Sequence, residues 1–199
     1  MNSKTVLVTC GATIPFPKLI SCILSPEFIR SLIDNGFNRL IVQFGRGYGL
    51  LFGKQLGLLK PSEEKLSSLT SCQLGSDQVC CFKIDNLEIV GMEYSTRIQE
   101  LIKDSADLVI SHAGTGSILD SLRLHKPLIV VINEDLMDNH QQQIADKFEE
   151  LGYVWSCKPQ TSRLIDCLDK SQRKNTELVP LPNAHNKNFE NTLINLANS

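Results

Sequence analysis

Asp107-Leu108-Val109-Ile110-Ser111-His112-Ala113-Gly114-Thr115-Gly116-Ser117-Ile118-Leu119-Asp120 is the stretch on which the fold turns. Its first part, Asp107 to Ser111, is an apolar run of strand length. Its second part is a glycine-bearing turn that opens a helix predicted over Gly114 to Leu124. A buried strand feeding a helix through Gly-x-Gly is a unit of a parallel, doubly wound α/β sheet. Such a turn aims backbone N–H groups at an anion, and glycine lets a diphosphate approach with no Cβ in the way. Thr115 and Ser117 add hydroxyls. A plainer account fits the same residues: Ser117-Ile118-Leu119-Asp120 has the spacing of a capping box, and glycines before a helix can serve packing alone. On this motif by itself the two accounts weigh evenly.

The alternation continues on both sides. Downstream, Pro127 to Ile132 is the most hydrophobic strand, and Asn139 to Leu151 a helix with Ile144, Phe148 and Leu151 inward. Val154-Trp155 is a short strand, and Thr161 caps a helix containing Leu164, Ile165 and Leu168. Upstream, Thr5 to Thr9 and Leu40 to Phe44 are strands, with helices near Pro17 to Leu24 and Pro26 to Asn35, each with proline in its first turn. Two runs, 79–84 and 87–90, flank Asp85-Asn86 and predict an antiparallel hairpin. Ser95 is expected to cap a helix carrying Ile98, Leu101 and Ile102. Between Leu50 and Asp77 the periodicity fades into a helix plus loop. The expected organisation is a Rossmann-like domain over residues 1–169, with 50–78 as a variable insertion. Residues 170–199 are then a linker and an amphipathic C-terminal helix bearing Phe189, Leu193 and Leu196.

Composition limits the function classes. At 199 residues the chain is one domain's length, with 20 Lys and Arg against 22 Asp and Glu and a mean hydropathy of −0.07. That balance argues against a polybasic surface, so no nucleic-acid partner is expected. The longest aliphatic run, Leu128 to Ile132, is far short of the ~20 residues of a membrane-spanning helix. The N-terminus enters a strand at once, with no room for a signal peptide. The seven cysteines form no Cys-x-x-Cys pair and there is no Asn-x-Ser/Thr sequon, which fits a reducing compartment such as the cytosol, with the cysteines as small buried hydrophobes. No Asp-x-Asp occurs, and neither a metal nor a cofactor is called for.

Three glycine loops fall at strand ends, where ligands bind in open α/β sheets: Cys10-Gly11-Ala12-Thr13, Gly45-Arg46-Gly47, and the turn after His112. Asp138-Asn139-His140-Gln141-Gln142-Gln143 is a run of polar side chains at a helix start. It reads either as an N-cap with a solvated first turn or as amide and imidazole groups for sugar hydroxyls, which both give and accept hydrogen bonds. His112 suits phosphate binding or helix capping better than catalysis. His125 belongs to an exposed turn, and Asp107 anchors a strand start. A dinucleotide oxidoreductase is the weaker alternative: Gly114 and Gly116 match two fingerprint glycines, but Leu119 stands at the third, although Glu134-Asp135 follow at about the ~20-residue spacing of a ribose contact. A non-catalytic nucleotide-sugar module is a further reading, since no acid/base pair is evident.

Taken together, Asp107 to Ser117, Lys126-Pro127-Leu128-Ile129-Val130 and Asn139-His140-Gln141-Gln142 resemble the C-terminal half of GT-B glycosyltransferases, in particular the relatives of MurG. Val8 to Phe16 and Gln43-Phe44-Gly45-Arg46-Gly47 narrow the resemblance to the small cytosolic subunits of the eukaryotic two-subunit UDP-N-acetylglucosamine transferase of dolichol-linked oligosaccharide synthesis. It covers about Lys4 to Trp155 and is weakest across Leu50 to Asp77. The resemblance implies a mostly parallel GT-B C-terminal-type domain that binds UDP-GlcNAc. It also implies a membrane-anchored partner subunit that holds the dolichol-linked acceptor and supplies the general base, at the cytosolic face of the endoplasmic reticulum. On this chain, Gly11, Thr13, Gly114, Thr115, Gly116 and Ser117 would hold the diphosphate. Asp120 would meet the ribose, Tyr94 and Ser95 the uracil, and Asn139, His140 and Gln141 the sugar. Bacterial relatives have Glu in place of Asp120, and some relatives have Arg in place of His112. The last helix would dock on the partner.

Overall fold

Thr5–Thr9 (β1) is buried at every position, and its neighbours explain why. In the computed structural model, which describes residues 3–11, 16–64, 71–76, 78–133, 139–173 and 178–181, β1 lies in the middle of an eight-stranded sheet. It pairs in parallel with Arg39–Gln43 (β2) on one side and Leu108–His112 (β6) on the other. Beyond β6 come Leu128–Val131 (β7) and Trp155–Cys157 (β8), both parallel. Beyond β2 comes Leu87–Met92 (β5), also parallel. The margin is antiparallel: Val79–Ile84 (β4) pairs with β5 and then with Ser62–Glu64 (β3), giving the order β3-β4-β5-β2-β1-β6-β7-β8. The predicted hairpin is present, with Asp85 in the left-handed region at φ +51°.

Successive strand residues point to opposite faces, so two apolar layers form. On one face Val6, Val8, Leu40, Val42 and Ile110 pack under Pro17–Ile23 (α1), Pro26–Asp34 (α2), Gly49–Leu58 (α3) and Thr161–Ser171 (α8). On the other, Leu7, Ile41, Val90, Val109 and Val130 meet Ser71–Leu74 (α4), Ile98–Ser105 (α5), Thr115–Arg123 (α6) and Asn139–Glu150 (α7). This is the doubly wound arrangement expected from the alternation of elements. Asp107 holds the start of the frame: its Oδ2 accepts the Thr5 N–H at 2.8 Å, and its own N–H donates to the Thr5 carbonyl at 2.9 Å.

Several local expectations need correction. β3 is a strand where the sequence pattern offered only loop, because Ser62-Glu63-Glu64 has no β signature and pairs only through the open edge of β4. Gly49, two residues past the Gly45-Arg46-Gly47 loop, opens α3. Ser95 does not cap α5: Arg97 is the N-cap, and Ser95 Oγ sits two residues earlier. Thr161 is the first residue of α8 rather than its cap, which is Gln160. Leu151 does not face the core; it is 41% exposed in the turn after α7. α8 continues to Ser171, two residues into the segment read as linker. Five of the seven cysteines are buried, whereas Cys80 is partly exposed and Cys72 exposed. Phe189, Leu193 and Leu196 lie outside the described residues.

Candidate functional site

Six parallel strands end on the same rim, and the chain leaves β1 in one direction and β6 in the other. The seam between β1 and β6 is therefore the topological switch point, where the loops diverge and leave a crevice. Polar residues end the strands there. Thr9 stands in register with both Gln43 and Ser111, and all three are buried. Thr9 Oγ1 donates to Ser111 Oγ at 3.1 Å, and Ser111 Oγ donates to the His112 carbonyl at 2.8 Å. Buried hydroxyls satisfied in this way fix the strand ends rather than weaken them.

His112 bridges the seam. Its Nδ1 lies 3.3 Å from the Thr9 carbonyl, and because a carbonyl only accepts, Nδ1 carries the proton. Burial pushes the pKa of the half-buried imidazole below its usual value, outweighing the opposing pull of that hydrogen bond. The neutral ring then presents Nε2 as an acceptor. Nε2 lies 2.4 Å from where a Cβ on Gly114 would stand, so position 114 must be glycine for the ring to keep this pose. Gly114 is the N-cap of α6 and no side chain caps that helix. Ser117 lies inside the first turn, where its carbonyl accepts from Ser121 Oγ at 2.9 Å, so the capping-box account fails. The uncapped start of a nine-residue helix, with nothing within 4 Å of a Cβ at Gly116, leaves N–H groups for an anion.

On the β1–β2 side, Gly11 and Gly45 have φ of +86° and +93°, and a Cβ on Gly45 would lie 3.1 Å from the Gly11 carbonyl. The two turns are packed backbone to backbone. Glu93 Oε1 accepts the Gly47 N–H at 3.2 Å, and the Arg46 guanidinium lies 5.2 Å from the Tyr94 ring centroid. Tyr94 is 38% exposed, with its ring available at the rim. Ser95 is the opposite case. Its hydroxyl donates to the Leu74 carbonyl at 2.5 Å and accepts the Arg97 N–H at 3.0 Å, while its own N–H donates to Gln43 Oε1 at 3.1 Å. Ser95 is buried, and these bonds make it a residue that builds the loop.

Asp120 lies further along α6 and accepts from Gln99 Nε2 at 3.0 Å, so a ribose contact there competes with that bond. Asn139, His140 and Gln141 form the first turn of α7, on the connection from β7 at the same rim; their side chains lie outside the described residues, as does Thr13. The frame thus brings together Gly11, Tyr94, Ser95, His112 and Gly114 to Ser117 at strand ends, and sets Asp120 a turn behind. Thr9, Gln43, Ser111 and Glu93 carry no role in the sequence reading yet hold these loops in place. The signal for three of them is a polar residue closing an apolar strand run. No cluster of metal-ligating side chains occurs among the described residues.

The comparisons with known proteins agree with this fold. The glycosyltransferase family 28 C-terminal domain matches residues 5–196. The UDP-N-acetylglucosamine transferase subunit ALG13 of Saccharomyces cerevisiae is 51% identical over 202 residues, covering 98% of this chain and 96% of the yeast protein. The same-named subunit of Kluyveromyces lactis is 46% identical over 98% of both chains. An NMR solution structure of ALG13 superposes with a TM-score of 0.77 at 51% identity, covering 100% of this chain and 98% of that one. The crystal structure of Acinetobacter baumannii MurG superposes at 0.57 with 14% identity, covering 85% of this chain and 41% of that one, and so supports the fold.

Proposed function

The chain belongs to glycosyltransferase family 28 and is of its C-terminal-domain type, and from that premise we propose that it is the donor-binding subunit of a UDP-N-acetylglucosamine transferase. Residues 1–169 form the UDP-sugar-binding domain, and residues 170–199 include the segment that docks on a partner. The reaction passes N-acetylglucosamine from UDP to N-acetylglucosaminyl-diphosphodolichol with inversion. The bond from the anomeric carbon to the β-phosphate oxygen breaks, and an acceptor hydroxyl oxygen attacks from the opposite face. Its proton goes to a base on a membrane-anchored acceptor-binding subunit at the cytosolic face of the endoplasmic reticulum. No helix among the described residues is long and apolar enough to cross a membrane.

The observation that carries this reading is the seam itself: an uncapped helix start, Gly114 to Ser117, facing the Gly11–Gly45 turns across a neutral His112. UDP leaves as an anion, and fixed N–H dipoles aimed at its phosphates stabilise the charge that develops on them. Tyr94 offers a ring to the uracil, on the loop that Ser95 holds in place. Asp120 serves the ribose when it releases Gln99, and Asn139, His140 and Gln141 meet the sugar. Catalysis on this chain is thus positioning and leaving-group stabilisation. In an NMR titration with UDP-N-acetylglucosamine, the largest shifts are expected at Gly11, Gly114 to Ser117 and Gln141. The purified chain alone should transfer nothing to a lipid acceptor and should gain activity with the membrane subunit. Shifts confined to the opposite end of the sheet, or turnover without a partner, would refute the reading.

A further inference from the structure

The loops along the rim stand in the order of the strands that feed them. From β5 through β2 and β1 to β6 they are Tyr94-Ser95, Gly45-Arg46-Gly47, Gly11 and Gly114 to Ser117. Arg46 therefore lies between the loop read as the grip on uracil and the two read as the diphosphate cradle. β2 is two strand spacings from β6, roughly 10 Å, within which an arginine side chain can meet a ligand seated between them. The backbone on each side of Arg46 is pinned. The Gly45 N–H donates to the Glu93 carbonyl at 3.0 Å and the Gly47 N–H to Glu93 Oε1 at 3.2 Å, while a Cβ on Gly45 would lie 3.1 Å from the Gly11 carbonyl. Both glycines have left-handed φ, +93° and +77°, so Arg46 is the exposed tip of a tight turn.

A sugar nucleotide brings a charged diphosphate, and the seam meets it with N–H dipoles, hydroxyls and a neutral His112. Among the described cations near these loops, Arg97 is ion-paired with Glu100, and Lys18, early in α1, has an interaction of its own. Lys158 has one too and follows β8, on the far side of β7. Arg46 makes no ion pair among the described residues; its guanidinium rests over the Tyr94 ring, 5.2 Å from the centroid. The Glu93 carboxylate belongs to the same turn, so the turn has no excess of positive charge. What Arg46 offers is reach and a planar fork of donors that matches phosphate oxygens. An exposed cation–π contact is weaker than a charge-assisted pair with phosphate, so a diphosphate can draw the guanidinium off the ring. Resting on the donor-site reading above, we propose that Arg46 is a further donor-binding residue, whose guanidinium moves from Tyr94 onto the diphosphate of the UDP-sugar and holds it as UDP departs.

The full chain and its Arg46→Gln and Arg46→Lys variants are titrated with uridine and with UDP, following amide chemical shifts. UDP should bind Arg46→Gln about tenfold more weakly than the wild-type chain, roughly 1.4 kcal/mol, while uridine binds no more weakly. Arg46→Lys keeps the charge and loses the fork, and should recover part of the loss. Added salt should narrow the gap between wild type and Arg46→Gln. The side chain is exposed, so all three melting temperatures should agree. If UDP shifts Gly114 to Ser117 in the wild-type chain and binds Arg46→Gln equally well, this inference alone falls. An equal loss for uridine and UDP also overturns it, because Arg46 would then act only through Tyr94. If UDP leaves those resonances unmoved in the wild-type chain, the donor-site reading falls and takes the inference with it.

Discussion

The parallel centre of the sheet and its antiparallel margin are built from the same backbone but answer to different rules. β1 and β7 are buried at every position, covered by helices on both faces, and β6 is buried up to its last residue. β4 is mostly half-buried and β3 lies outside it as a three-residue edge. A strand covered twice has no freedom to slip, so polar groups can be set at its end with lasting geometry. That is where Thr9, Ser111 and His112 meet. The margin closes the sheet with a short edge strand and contributes no residue to the seam.

The sharpest way to break this contrast is to cut equal side chains on the two sides. Ile110→Ala in β6 should cost about 2–5 kcal/mol in urea unfolding, because it empties a fully buried site in the layer under α1, α2, α3 and α8. Ile84→Ala in β4, half-buried, should cost well below that; comparable losses would erase the distinction. Next in size, Gly114→Ala drives His112 out of its pose. Affinity for UDP-N-acetylglucosamine by NMR titration should fall roughly 10–100-fold, about 1.4–2.7 kcal/mol, with little change in melting temperature. Unchanged affinity would mean the ring's pose is not used. Ser95→Ala removes a donor from the Leu74 carbonyl and an acceptor from the Arg97 N–H, for about 1–2 kcal/mol of stability.

The smallest effect is pH-dependent. Burial holds the His112 pKa below its unfolded value of about 6.5, so the unfolded chain takes up the proton first. Its contribution is complete above about pH 6.5, declines as pH falls through that value, and levels off below the folded pKa. Chemical denaturation at steps from pH 7.5 to 5.5 should therefore show a steeper loss for the native chain than for His112→Gln. Parallel curves would place the ring in water.

What could be read from sequence follows the same division. Apolar runs at Val109-Ile110 and Leu128 to Val131 declare twice-covered strands, and Asp85-Asn86 declares its hairpin, because each signal is local. The glycine loops and the polar run at 138–143 point to a ligand, whereas Thr9, Gln43 and Ser111 show only as polar residues closing apolar runs. β3 escaped because nothing in Ser-Glu-Glu favours a strand until β4 offers an edge. The fit of Gly114 against His112, the contact of the Gly11 and Gly45 turns and the triple use of Ser95 depend on atoms brought together by the fold. Spacing along the chain says nothing about them.

The bond from Val179 to the Gly152 carbonyl has a practical bearing on how the molecule is tethered. It pins the backbone at the foot of the sheet, while the β1–β6 seam is at the head, a strand length of roughly 17 Å away. Any leash leaving after Leu181 must spend at least about five extended residues climbing before it reaches the seam. A label joined directly after Leu181 therefore begins at the foot of the sheet, and a grip on the seam from there has to come over the edge.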